Sequence, residues 1–273
     1  MSPGTPHGPG GGPDGGSVAG SVAGYVVPTD DHHVHSTFSD DARSTPEENL
    51  AAARERGLRS IRMVDHVRTS TTYVPDFLAA VAALPPVDGL EVVTGVEAKL
   101  LDTAGAVDAP AEVLARVGGP DGPGRVLLAD HQLPGPDGPL SPRAVRELLD
   151  GGLARSAPVE MLVASYLRAV EGCGPAQLAH PFSILPKIGL TEDDVGEDHL
   201  AALADAALAH DVVVEVNEKW CCPGPRIVAA LADRGVRLVA SSDAHHADDV
   251  GRYAWLRGTA GGRSGGLAGE EAR

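Results

Sequence analysis

Apolar, β-prone segments alternate with helix-like stretches along most of this chain, and that alternation restricts its possible folds more than any other feature. The β-prone segments read "YVVPTDDHHVH", "RSIRMVDH", "EVVTGVEAKLL", "RVLLADHQL", "AQLAHPF", "VVVEVNE" and "RLVASSDAHH". Helix grammar lies between them. "STPEENLAAARERG" offers Ser44 or Thr45 as a cap, Pro46 early, Glu47 and Glu48 in the first turn and Gly57 as a stop. "SPRAVRELLDGG" repeats that grammar, and "DHLAALADAALAH" and "PRIVAALADRG" add two amphipathic helices. About seven strand-then-helix units imply an α/β fold with a parallel sheet, doubly wound or closed into a barrel.

Composition narrows the partners. The formal charge of −16 and an aromatic content of 3% argue against a nucleic-acid groove, which needs basic and stacking surfaces. A small anionic substrate stays compatible if metals or local cations reverse the field at its site. There is no apolar run long enough for a membrane span. Three cysteines, Cys173, Cys221 and Cys222, make no disulfide framework, so a reduced, cytoplasmic protein is expected. The first 24 residues hold nine glycines and four prolines, and residues 258–273 are again Gly-rich. One domain over 25–257 with two disordered tails, 1–24 and 258–273, is the expected organisation.

Metal-competent side chains fall at the ends of the strand segments. The first ends in His33 and His35, the second in His66, the third in Glu97, the fourth in His131, the fifth in His180 and the seventh in Asp243 and His245. In a β/α barrel the C-terminal strand ends form one rim, where the active site is built. His33 and His35 are two apart and face one way on a strand, and Asp243 and His245 repeat that spacing. Imidazole and carboxylate donors suit Zn²⁺, Mn²⁺ or Fe²⁺. A single histidine at a strand end is usually an ordinary polar residue; six of the chain's eleven histidines occupying such ends is not ordinary. His32 and His246 should point away from the site.

Through these residues the chain resembles the PHP (polymerase and histidinol phosphatase) superfamily. "DHHVHSTFSDD" (31–41), "VDH" (64–66), "AHPF" (179–182) and "SSDAHH" (241–246) carry the likeness. The stretch "AQLAHPFSILPKIG" followed by "VEVN" is similar to the histidinol-phosphatase-like branch. The resemblance implies a distorted (β/α)7 TIM-like barrel with a centre of two or three divalent ions. His33, His35, Glu97 and Asp243 would hold one ion, and Glu97 would bridge to a second held with His131 and His180. Asp40, His66 and His245 would hold a third. "SDD" stands where "SDG" is common, so Asp41 competes with Asp40. The chain after "SSDAHH" is short for a last barrel helix.

The implied chemistry is hydrolysis of a phosphate ester on a small metabolite, most simply a monoester, by a hydroxide shared between ions. Glu97, Asp243 and His245 would carry the catalytic work. Arg68, Lys99, Lys187 and Lys219 follow strands on the same rim and are candidate phosphate anchors. Two other readings stay open: a phosphodiesterase acting on a nucleotide or cyclic phosphate, and a non-catalytic regulatory or accessory metal-binding module. Neither a nucleophile elbow, a Walker loop nor a dinucleotide fingerprint is present.

Overall fold

In the computed structural model, residues 21–26 and 28–258 are described. In chain order the main elements are β1 (Asp30–Val34), α1 (Pro46–Glu55), β2 (Ser60–Val67), α2 (Val74–Ala82), β3 (Glu91–Lys99), α3 (Ala111–Leu114) and β4 (Arg125–Ala129). A hairpin, β5 (Leu133–Gly135) with β6 (Gly138–Leu140), then precedes α4 (Pro142–Asp150) and α5 (Ser156–Gly172). The chain ends with β7 (Ala176–Ala179), α6 (Glu197–Ala209), β8 (Val213–Asn217), α7 (Pro225–Asp233) and β9 (Arg237–Ser241).

Local chemistry accounts for the start of α1. The Thr45 hydroxyl accepts from the Glu48 N–H while the Glu48 carboxylate accepts from the Thr45 N–H, and Pro46 opens the helix. Thr45, not Ser44, is the cap. Gly57 follows at φ +65°, a left-handed turn that a side chain would strain. The Ser141 hydroxyl caps α4 by accepting from the Ala144 N–H, with Pro142 opening that helix.

Seven parallel strands pair in the order β1-β2-β3-β4-β7-β8-β9. The two edges meet through a Val34–Ala244 bridge, with the His35 N–H donating to the Ala244 carbonyl at 2.8 Å. The fold is thus a nearly closed α/β barrel. Asp31 fastens the seam: its buried carboxylate accepts from the Ser242 N–H and hydroxyl and from the Gly251 N–H. Burial pushes its pKa up to about 6, against the pull of those donors. Val64, Leu127, Ala129 and Ala179 fill the barrel interior, and the larger core packs between the sheet and helices.

The wall beside β9 departs from a regular barrel. Among the described residues only a 3₁₀ turn, Ala247–Asp249, follows this strand. Val22, Val26, Tyr253 and Leu256 pack there against Val216, Val228 and Ala240 and take the place of a last helix. Packing therefore begins by Val22, ahead of the expected boundary at Tyr25. The remainder of both Gly-rich ends lies outside the described residues.

Candidate metal centre

Strand register builds the centre. His66 on β2 pairs with Glu97 on β3, and Glu97 pairs with Leu127 on β4, so neighbouring strands deliver their side chains to one level of the barrel. His180 and Asp243 stand just past the ends of β7 and β9 with left-handed backbones, φ 31° and 55°. Such conformations are uncommon away from glycine and cluster at functional sites. They turn each side chain inward as the strand ends.

Three sets of donor atoms result, each with its atoms within 4.8 Å of one another: His33, His35 and Asp243; Glu97, His131 and His180; His35, His66 and His245. His33 Nε2 and His35 Nε2 are only 2.9 Å apart. Glu97 Oε2 lies 3.3 and 3.2 Å from these two nitrogens, and Asp243 Oδ1 is 3.4 Å from His35. Two imidazole nitrogens and two carboxylate oxygens at such separations need a cation or protons among them. Neutral imidazoles and carboxylates are donors that divalent Zn, Mn and Fe accept, so the residues fit such ions.

Glu97 is the hub. Its Oε2 faces His33, His35 and His66, while its Oε1 faces His131 at 3.2 Å and His180 at 3.1 Å. Burial alone would raise its pKa. His66, His33 and His131 overcome that and hold it well below the usual carboxylate range. Burial likewise opposes, and Lys219, His33 and His35 outweigh it to depress Asp243. Burial works against charge on the imidazoles too, yet Glu97 and Asp41 push His66 up to about 10. Asp130 and Glu97 push His180 up to about 9. The same carboxylates that attract protons attract metal cations.

The geometry separates Asp40 from the other expected donors. Asp40 and Asp41 are both exposed and both lie outside the three groups. Of the two, Asp41 approaches the imidazoles, its Oδ2 3.4 Å from His66 Nε2 and 3.3 Å from His245 Nε2. The other eight expected donors are together. Asp41→Asn is accordingly expected to weaken metal uptake at the His66–His245 side by about ten- to hundredfold, with Asp40→Asn close to wild type. Elemental analysis after dialysis against graded chelator would show the difference, and equal behaviour of the two variants would refute the assignment.

Several polar residues that support the donors lie outside the expected set. Glu215, buried in the middle of β8, lies 2.9 Å from His33 Nδ1 and accepts from Gln177 and Asn217 amides. Asp130 accepts from the Ser183 hydroxyl, and both lie beside His180 Nδ1. Asp65 accepts from the Ser39 hydroxyl, which neighbours His35 Nδ1. Carboxylates behind imidazoles fix ring orientation and raise donor strength. Glu215→Gln should lower metal affinity by about ten- to hundredfold with the fold retained. A competition titration with a chromophoric chelator would check this, and unchanged affinity would exclude a supporting role.

The candidate anchors separate into two pairs. Lys99 is drawn toward Asp108 at 3.9 Å, and the exposed Arg68 contacts Thr71 through its backbone, so neither reaches the donor groups. Lys219 does: its Nζ is 3.6 Å from Asp243 Oδ2 and 3.3 Å from His245 Nδ1. Lys187 Nζ lies 4.1 Å from the centre of the Trp220 ring, whose N–H donates to Asp243 at 2.7 Å. A cleft of about 460 Å³ opens beside the centre, lined in part by Lys219, Asp243, His245 and Arg252. His32, half-buried, is in none of the donor groups, and His246 caps the 3₁₀ turn.

Residues 31–218, well over half of the chain, match the PHP domain. The chain belongs to the PHP domain family. A relative of this PHP protein in Caldanaerobacter subterraneus, named "Probable phosphatase", is 24% identical over 236 residues, covering 82% of this chain and 78% of the relative. Another of that description in Edwardsiella ictaluri is 27% identical over 234 residues, covering 82% and 81%. A solved histidinol phosphate phosphatase from Lactococcus lactis, complexed with zinc, L-histidinol and phosphate, shares the fold with a TM-score of 0.57 at 13% identity. That match covers 80% of this chain and 86% of the other. No described helix is long and apolar enough to cross a membrane.

Proposed function

We propose that this PHP protein is a metal-dependent phosphatase that hydrolyses the phosphate monoester of a small metabolite. One observation carries the reading: the two oxygens of a single buried carboxylate, Glu97, face two separate sets of imidazoles. A storage or structural site has no need of such a shared ligand, whereas chemistry between two ions does. The names of the relatives point to the same activity.

His33, His35, Asp243 and Glu97 would hold one ion, Glu97, His131 and His180 a second, and His66 and His245 with Asp41 a third, with Zn, Mn or Fe as the ions. When bound, they supply Lewis acidity toward phosphoryl oxygens and acidify water. The chain's own groups do the rest. Glu215 and Asp130 orient His33 and His180, and the Trp220 N–H fixes Asp243. Lys219, at the mouth of the cleft, would meet a phosphoryl oxygen of the ester. Burial of the donors keeps bulk water from competing for the charges.

Hydrolysis of p-nitrophenyl phosphate by protein reconstituted with Mn²⁺ or Zn²⁺ tests the reading. Turnover of this monoester well above that of bis(p-nitrophenyl) phosphate is expected. A preference for the diester would replace the proposal with a phosphodiesterase, and no turnover of either would leave a binding module.

A further inference from the structure

Trp220 joins two ammonium groups at the mouth of the centre. Its ring stands 5.6 Å from the His180 ring and its N–H is held by Asp243, so the indole is fixed relative to the donors. Lys187 Nζ sits 4.1 Å from the ring centre and Lys219 Nζ 5.8 Å from it. An ammonium over an indole face is attracted by the ring and held in place. The two lysines differ in their other partners. Lys219 lies against Asp243 and His245. Lys187 is half-buried, and among the described residues no carboxylate stands within ion-pairing distance of it.

The acids whose charge reaches Lys187, Asp130 and Asp243, are engaged elsewhere. Asp130 is engaged by the Ser183 hydroxyl and His180, and Asp243 by Trp220 and Lys219. Two further acids near the cleft are taken up as well. The Glu218 carboxylate is taken up by the N–H groups of Ala254, Trp255 and Leu256, at 2.8 to 3.0 Å. Asp249 faces Arg252 at 4.0 Å. Two like charges held on one ring, one of them half-buried and unpaired, repel each other and are unfavourable until an anion arrives. One ammonium beside the metal donors is enough to meet the scissile phosphoryl group. The second needs another acceptor.

We propose that Lys187, positioned by Trp220, is a specificity residue for a second oxyanion on the substrate, of which a carboxylate is the smallest. This rests on the phosphatase reading and adds to it a substrate class: phosphate esters whose alcohol part carries an acid. An alcohol part carrying an ammonium would meet Lys187 as a like charge and be disfavoured.

Phosphoglycolate and phosphoethanolamine form a matched pair of small esters that differ in the charge at the far end. The wild-type protein should show a kcat/KM for phosphoglycolate at least about tenfold higher, the scale of one charge-assisted hydrogen bond. Lys187→Met should bring the ratio close to one, mainly through KM, and Lys187→Arg should restore most of it. Calorimetry with the non-hydrolysable pair phosphonopropionate and aminopropylphosphonate should give the same order of affinities. If p-nitrophenyl phosphate is turned over but neither pair is discriminated, or Lys187→Met keeps the wild-type ratio, the specificity role is overturned. If no ester is hydrolysed, the phosphatase reading fails, while the phosphonate affinities still decide whether Lys187 binds an oxyanion.

Discussion

Glu97→Gln is expected to lower kcat by about a hundredfold or more, the scale lost when one strong electrostatic stabiliser is removed from a catalytic centre. The substitution keeps the shape of the side chain and replaces one of two charged oxygens with an amide nitrogen. Either Oε1, toward His131 and His180, or Oε2, toward His33, His35 and His66, then ceases to be a donor to a cation. The five imidazoles also lose the buried negative charge they share. On the proposed reading the interaction acts in the transition state as well as in substrate capture, so kcat should fall, not merely KM rise. The fold should persist, because the neighbouring Val96, Ala98 and Leu127 still pack as before. Circular dichroism and metal content have to be measured alongside turnover. A folded variant with full metal content and near-normal kcat would rule out a bridging role for Glu97.

The barrel and most of its donors could be read from the sequence because both depend on periodic patterns. A strand end recurs once in each β/α unit, and that period alone puts His66, Glu97, His131 and His180 on one rim. What escaped does not follow that period. Helix α5 has buried residues on more than one face, among them Val159, Leu162, Tyr166 and Val170, because it packs against α6 as well as the β5–β6 hairpin. Its apolar stripe is therefore broad and its helical period blurred. The hairpin itself follows "DH" at 130–131 in a short run rich in Gly and Pro, which reads as loop. Glu215 sits in mid-strand, a position with no rim signal, and its role depends on His33, 182 positions away in sequence. Which of Asp40 and Asp41 faces His66 and His245 depends on the turn that carries both, and no periodic pattern encodes it. A buried acid inside an otherwise apolar strand, as in "VVVEVN", is the one sign that could have pointed to Glu215.

Removing the metals should abolish turnover and also change how stability depends on pH. Chelated protein is expected to lose more than about a hundredfold in rate, since Lewis acidity and acidified water are lost together. Addition of Zn²⁺ or Mn²⁺ should restore it. In the metal-free protein, carboxylates push His180 up to about 9 and His66 up to about 10, against the opposing effect of burial. Both lie above the ordinary value near ~6.5 for an unfolded histidine. A pKa raised by folding contributes stability that is complete below the unfolded value and is lost as pH rises through the folded one. The metal-free chain should therefore melt at progressively lower temperature from about pH 7 to about pH 10. Ions replace those protons, so metal uptake near pH 7 should release protons and grow stronger over the same range. Ions bound only by the folded chain raise its stability by about 2.7 kcal/mol for each site when present at a hundred times Kd. The loaded protein should then hold its melting temperature across the window in which the metal-free protein loses it. Scanning calorimetry of both forms at several pH values, with metal content measured on each sample, is the check. Turnover persisting in protein stripped to well below one ion per chain would overturn the metal requirement, and parallel pH profiles for the two forms would show that the imidazoles are not the groups the ions displace.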